Sequence, residues 1–260
     1  MNFYDSGFTI FQSSGVSLQI DKINSLLASL LGLDINAPDF FDEVHQELVE
    51  LFVDQEAYFG FLKAFTNSPI VQEISASPDL MTAVANCGVI YPTLVTPPIL
   101  HIVARDLMVN EDKVFTPAHQ DVISTKGSVG QLVVWIPLHE VSADNFGINA
   151  ILGSHKLGTL DTDPSAFGHT VKPELISDMT SEYIPLNKGD SLIFSQYLVH
   201  HTHKIGKFRM ALSFRFNDMA DVHWQKRKYF VPFERTAVTK EYEDNRQLAP
   251  RHNLQYFNRG

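Results

Sequence analysis

Between Val89 and Phe216 the chain repeatedly rises into short β-branched and aromatic runs and breaks them at Pro, Gly or Asn. Val89-Ile90-Tyr91, Leu94-Val95-Thr96, Ile99 to Val103, Leu107-Met108-Val109 and Gln131 to Leu138 have this form, Pro137 marking an edge or an end. So do Ile148 to Leu152, Tyr183 to Leu186, Ser191 to Phe194 and Phe208 to Phe216. Many short strands separated by turn signals predict an all-β core of two sheets. Residues 153–182, rich in Asp, Ser, Thr, Gly and Pro, read as one long surface segment, of the kind that serves as a lid or a binding loop.

The region before this core has a different period. Residues 3–12 predict a short strand. From Ser17 to Leu33, apolar residues fall near helical spacing at Leu18, Ile20, Ile23, Leu26, Leu27, Leu30 and Leu31. Asp39 to Phe65 continues in the same way until Asn67-Ser68-Pro69 breaks it, and further helical turns are expected over Ile70 to Ile74 and Asp79 to Val84. The expected fold is therefore mainly β with N-terminal helices packed outside it. We expect one domain over 1–260, with 1–85 as mainly helical support, 86–218 as the core and 219–260 as a C-terminal extension.

Composition limits the function. A chain of 260 residues, 44% hydrophobic and 19% charged, can bury a core without a metal or a disulfide. Its single cysteine, Cys87, allows no intrachain disulfide and reads as a small buried apolar residue. That suits a reducing, cytoplasmic setting. A net charge of −10 argues against nucleic-acid or anionic-membrane partners and leaves a small-molecule substrate as the expected one. The densest basic run, Lys226-Arg227-Lys228, reads as a solvated face. The first residues show neither the basic nor the apolar part of a signal peptide, and no apolar run approaches the ~20 residues of a membrane span. Oligomeric state is not legible.

The chemistry-bearing residues lie within the predicted core. His119 and Asp121 are two apart, so on a strand both side chains leave one face. They make two-thirds of a 2-His-1-carboxylate triad, which binds Fe(II) and keeps positions open. Alone, the pair is a common coincidence in a chain with 11 His. Downstream, the turn Gly189-Asp190 starts a strand that delivers His200, His201 and His203 at its end. Beyond it, Arg209 and Ser213 share a strand face. Two imidazoles and a carboxylate partly balance the charge of Fe(II), and a guanidinium past the distal histidine suits the far carboxylate of a dicarboxylate cosubstrate.

These pieces resemble a known family. His119-Gln120-Asp121, Trp135-Ile136-Pro137-Leu138, Asn145-Phe146-Gly147 with Gly153-Ser154-His155-Lys156, Gly189-Asp190 with His200, and Arg209 with Ala211-Leu212-Ser213 are similar, in order and rough spacing, to phytanoyl-CoA dioxygenase-like (PhyH-like) Fe(II)/2-oxoglutarate-dependent oxygenases. The resemblance implies a double-stranded β-helix, or jelly roll, of cupin-like form. It implies His119, Asp121 and His200 as iron ligands, with Arg209, Thr202, Trp135 and Ser213 around 2-oxoglutarate, and His155 at the site entrance. It also implies O2 as co-reactant, ascorbate as a support, succinate and CO2 as coproducts, and hydroxylation, or a related desaturation or ring closure, as the outcome, because halogenating relatives lack the carboxylate that Asp121 supplies. Three departures stand out. Arg209 follows His200 more closely than usual, Phe146 interrupts the usual Asn-Gly pair, and Leu152 replaces a Pro. The short gap leaves His201 and His203 as rivals to His200, and Arg215 as a rival to Arg209.

Other residues have plainer readings. His101, His139, His169, His223 and His252 have no partner pattern and read as surface or locally bonded, yet His101, His155 and Arg215 are carried as candidate substrate contacts. His45 reads as solvent-facing, Asp190 as serving its turn, and Glu111-Asp112 as a surface turn. Arg105 and Asp106 either pair or face the pocket. Specificity is expected from 153–182 and from the basic-aromatic stretch Trp224 to Arg235. The alternative function is a cupin-like metal protein without oxygenase activity, an isomerase or sensor, which would need no 2-oxo acid grip. A catalytically dead scaffold is the third reading.

Overall fold

The computed structural model describes residues 2–94, 96, 98–107 and 115–229. Val95, Met108-Val109, Glu111-Asp112, His252 and the stretch beyond Tyr229 lie outside the described residues.

Two antiparallel sheets form the core, as expected for a jelly roll. The larger runs in the order β1 (Phe8–Gln12), β9 (Asp190–Ser195), β4 (Leu132–Pro137), β11 (Phe208–Asp218). On its outer edge β11 pairs with both β2 (Pro92–Leu94) and β3 (Ile99–Ala104). The smaller sheet is β10 (His200–Thr202), β5 (Ile148–Ile151), β8 (Ser181–Ile184). Phe8, Val133, Trp135, Ile148, Ile184, Leu192 and Phe194 pack between the two.

Strand alternation assigns two tasks to β11. Met210, Leu212, Phe214 and Phe216 pack away from the smaller sheet, in the cluster shared with the helices. The opposite face carries Arg209, Ala211, Ser213 and Arg215, of which Ala211 packs between the sheets and the other three line a cavity. The strand is buried on both faces along most of its length. Leu212 is 0% exposed, so truncating it to Ala would cost about 2–5 kcal/mol in lost transfer energy and cavity formation.

The helices cover the larger sheet. In α2 (Ser14–Leu31) Val16, Ile20, Ile23 and Leu27 are fully buried, whereas Leu18 and Leu30 of the same apolar pattern face outward. Ser13 caps this helix by accepting from the amides of Gly15 and Val16, and Gly32 ends it in the left-handed region. Asn24 is buried and donates to the Leu138 carbonyl at 2.9 Å, tying helix to sheet.

The helical stretch expected over Asp39 to Phe65 is two helices, α3 (Phe40–Phe52) and α4 (Gln55–Thr66). Asp54 separates them because its carboxylate accepts from the Ala57 amide, an N-cap that competes with helix continuation. Helices α5 (Pro69–Glu73) and α6 (Pro78–Asn86) each start with a Ser cap followed by Pro. Residues 3–12 are only half strand. Phe3–Ser6 is a helical turn, α1, which Gly7 ends at φ 88° before β1 begins. His45 is buried rather than solvent-facing. It pairs with Asp106 at 2.7 Å and stacks on Phe208, because α3 turns this face toward the sheet. Cys87 is half-buried. Segment 153–182 is not structureless. It contains the hairpin β6 (Thr162–Ser165) and β7 (Gly168–Val171), with Phe167 at its tip.

Among the described residues no helix is long and apolar enough to cross a membrane.

Candidate active site

His119 and His200 are joined by their backbones. The His119 amide donates to the His200 carbonyl at 3.0 Å, and the His200 amide returns the bond at 3.1 Å. This bridge adds His119 to the edge of the smaller sheet beside β10. The expected strand ends there. Asp121 has helical dihedrals and opens the single turn Val122–Thr125. Its side chain reaches the histidines from a chain reversal, not by strand alternation. Gln120 points elsewhere and donates to the carbonyls of Gly158 and Tyr197, which anchors segment 153–182 to the site.

The ligand atoms of His119, Asp121 and His200 lie within 4.8 Å of one another, and all three residues are buried. Each histidine donates from Nδ1 to a carbonyl two residues back, His119 to Pro117 at 2.8 Å and His200 to Leu198 at 3.1 Å. A carbonyl can only accept, so the Nε2 lone pairs of both rings are free to bind a metal. Burial and the neighbouring imidazole drop the His119 pKa to about 3, and burial lowers that of His200, so both rings are neutral. His201 and His203 do not join the cluster. His201 lies near the Ser181 hydroxyl, and His203 packs on Tyr183.

Asp121 is held by one oxygen. Arg215 approaches Oδ1 with Nε at 2.9 Å and Nη2 at 2.8 Å, while Oδ2 is buried without a partner. Burial alone would raise the carboxyl pKa. Arg215 and the two histidines outweigh it and hold the group ionised, well below the usual carboxylate range. A buried orphan oxygen on an ionised carboxylate, 3.6 Å from His200 Nε2, fits a divalent cation between them.

The triad opens into a cavity of about 560 Å³. Thr202, Trp135 and Arg209 line it. Arg209 is 4% exposed, and no acidic side chain among the described residues pairs with it. Its guanidinium lies 5.3 Å over the Trp135 ring, Nη1 donates to the Phe146 carbonyl, and Nε is buried without a partner. Burial drops its pKa to about 10, leaving it a cation at neutral pH. A buried, uncompensated guanidinium calls for an anion. Phe146 sits at φ 44°, a strained conformation for a bulky residue, and its carbonyl is one that Arg209 uses. The Phe that interrupts the Asn-Gly pair is thus part of the arginine's cradle.

The other expected site residues divide: Ser213 and Arg215 line the cavity, and His155 does not. Ser213 is engaged by Arg215 at 3.0 Å and by His101 at 2.8 Å. Arg215 does line the cavity, but it pairs with Asp121 and so is not free to grip an anion. His155 lies away from the cavity against the N-terminal turn, its Nε2 3.2 Å from the Tyr4 carbonyl, because Gly7 leaves room for its ring. Arg105 lies over Phe115 and Phe146, and Asp106 pairs with His45, so the two do not form the pair weighed from sequence. Trp224 is buried, and Arg227 donates to the Lys126 and Gly127 carbonyls.

Two residues went unforeseen. Phe167 packs on the His119 ring at 4.7 Å and lines the cavity, and His169 reaches the Gln120 carbonyl at 3.4 Å. The only sequence signal was their place within the segment expected to act as a lid.

Two stacked sheets with a buried His-Asp-His cluster at one end of a cavity define a jelly-roll protein equipped for a single metal ion. The family model described as phytanoyl-CoA dioxygenase (PhyH) matches residues 35–211, and the chain belongs to that family. No curated protein matches it by sequence. Several solved structures share its fold. The apo form of the non-heme monooxygenase ThoJ is 16% identical with a TM-score of 0.55, covering 83% of this chain and 75% of that one. EctD from S. alaskensis, with 2-oxoglutarate and 5-hydroxyectoine, is 14% identical with a TM-score of 0.54, covering 84% and 74%. The non-heme alpha ketoglutarate dependent epimerase SnoN from nogalamycin biosynthesis is 14% identical with a TM-score of 0.51, covering 83% and 79%. At these identities the likeness is one of fold.

Proposed function

We propose that this protein is a non-haem Fe(II)- and 2-oxoglutarate-dependent dioxygenase that hydroxylates an unactivated C–H bond of a small molecule. The observation that supports it most is a pairing within one cavity: the orphan Asp121 Oδ2 between two Nε2 lone pairs, and the buried, uncompensated Arg209. A cupin-like isomerase or sensor would have use for the first and none for the second.

In this reading His119 Nε2, Asp121 Oδ2 and His200 Nε2 hold Fe(II). Arg209 takes the distal carboxylate of 2-oxoglutarate, with Trp135 and Thr202 beside it. Bound iron and the 2-oxo acid supply O2 activation, the acid being cleaved to succinate and CO2 while one oxygen atom passes to the substrate. The chain's own groups prepare this. The carbonyls of Pro117 and Leu198 fix the ring orientations, so both Nε2 atoms are set toward the cluster before a metal arrives. Arg215 occupies Oδ1 and leaves Oδ2 as the free donor. The Thr202 hydroxyl is kept in place by Thr116 at 2.8 Å. Phe167 and Phe194 make the walls near the histidines apolar, which limits water there. Relatives of this fold carry out other outcomes, SnoN being an epimerase. The carboxylate ligand Asp121 leaves no ligand position vacated for a halide and is compatible with hydroxylation.

The test is anaerobic addition of Fe(II) and 2-oxoglutarate. A visible absorbance band requiring both is expected, followed by succinate release once O2 and ascorbate are admitted. Absence of both the band and the succinate would end this reading.

A further inference from the structure

Four side chains form a chain of contacts from the metal cluster to the cavity wall: Asp121, Arg215, Ser213 and His101. Arg215 can only donate, so Nη1 donates to Ser213 Oγ at 3.0 Å. Ser213 is 1% exposed, and its hydroxyl proton needs an acceptor. Among the described residues the remaining partner of Oγ is His101 Nε2, at 2.8 Å. His101 Nε2 is therefore the acceptor, and a neutral His101 must carry its proton on Nδ1. Burial, then Arg209 and Arg215, drop the His101 pKa to about 3, so the ring is neutral. Among the described residues Nδ1 has no hydrogen-bond partner, and the ring lines the cavity. The register agrees, since His101 lies opposite Ala211 on β11, on the face that carries Arg209 and Ser213.

We propose that His101 is the substrate-orienting residue of this site, a neutral imidazole locked by Arg215 and Ser213 as an Nδ1–H donor for an oxygen acceptor of the substrate. The substrate class follows. Such a donor binds a carbonyl, carboxylate, ether or hydroxyl oxygen and offers nothing to an ammonium group. Asp121 is the only carboxylate lining the cavity among the described residues, and it is committed to Arg215 and the metal. A cationic substrate would find no free carboxylate among the described residues that line the cavity, so the site favours neutral or anionic oxygen-bearing molecules. Ser213 and Arg215 act through His101 as positioning residues. Only the naming of the bound molecule as substrate rests on the oxygenase reading.

The experiment uses the full-length protein with labelled histidine, loaded with Zn(II) and succinate to keep it diamagnetic. Long-range proton–nitrogen NMR reads the His101 tautomer, and butyramide, butyrate and butylammonium serve as probes. The Nδ1–H form is expected in the wild type and in Ser213→Thr, and a mixture of tautomers in Ser213→Ala. Butyramide and butyrate should shift the His101 Nδ1–H resonance, and butylammonium should not. By ligand-observed NMR, His101→Gln, which keeps only the Nε2 position, should weaken butyramide binding about tenfold, the loss of one hydrogen bond. His101→Asn, which keeps a donor at the Nδ1 position, should stay within about threefold of wild type. A proton on Nε2, a charged ring, shifts from butylammonium or from none of the probes, or unchanged binding in His101→Gln would each overturn the assignment. A protein that shows the expected tautomer and probe preference but no 2-oxoglutarate absorbance band would lose the oxygenase reading and keep this one.

Discussion

Arg215 grips Asp121 through Oδ1 alone, with Nε at 2.9 Å and Nη2 at 2.8 Å, and leaves Oδ2 buried and bare. The two contacts converge on one oxygen, so the carboxylate cannot swing to offer both to a metal without losing the arginine. Arg215→Met should therefore weaken Fe(II) binding about 10- to 100-fold, the usual cost of removing a partner that orients a ligand. Arg215→Lys should recover part of it, since a single ammonium can reach one oxygen but cannot hold the plane. Anaerobic metal titration decides it, and equal affinity in wild type and Arg215→Met would refute the role.

The distal ligand is testable against its neighbours. Asp121→Ala and His200→Ala should lose stoichiometric iron. His201→Ala and His203→Ala should retain it, because neither ring joins the cluster. Metal content after dialysis gives the answer. Retention of iron in His200→Ala with loss in His203→Ala would move the ligand downstream.

Arg209 makes a separate prediction about stability. Burial lowers its pKa to about 10, below that of an arginine in the unfolded chain, so its charge opposes folding throughout the neutral range. The penalty is fully present at neutral pH and is relieved only as pH rises through about 10. A bound dicarboxylate neutralises the same charge at neutral pH. Succinate at 100 times its Kd should add about 2.7 kcal/mol to wild-type stability and nothing to Arg209→Met. Differential scanning calorimetry with and without succinate measures this, and an equal rise in melting temperature in both proteins would contradict it.

Asp54 tests the break between α3 and α4. Its carboxylate accepts from the Ala57 amide in an exposed setting. Asp54→Ala should lower stability by about 1 kcal/mol in urea unfolding. It should leave iron binding untouched, since the cap is not part of the cavity.

The parts of this protein written in periodic patterns were legible from sequence. Short β-branched and aromatic runs bounded by turn residues announced β4 and β11, and helical spacing announced α2, because both signals are local properties of the chain. The break at Asp54 was less visible, since the apolar stripe runs on through it and only a capping bond divides it. His119 and His200 were found through their order along the chain, but not the means of their approach. The strand expected to carry both His119 and Asp121 stops at His119, and a helical turn presents the carboxylate. Contacts between distant residues stayed hidden for the same reason. Nothing local in Arg215 says that it meets Asp121, and nothing in His45 says that it faces Phe208. His155 was misplaced because a motif fixes a position along the chain, whereas its ring is received by the space above Gly7.

The two-sided character of β11 has a consequence for how the centre comes into being. Its even-numbered residues hold the helical layer and its odd-numbered ones supply Arg209, Ser213 and Arg215. A slip of one residue would drive two guanidinium groups into the helix interface and leave four large apolar side chains in the cavity. Mispairing of this strand is thus rejected by the hydrophobic layer before any metal is present. A chain that has folded has, by the same act, set its arginines in register, and the metal arrives at a centre that was proofread without it.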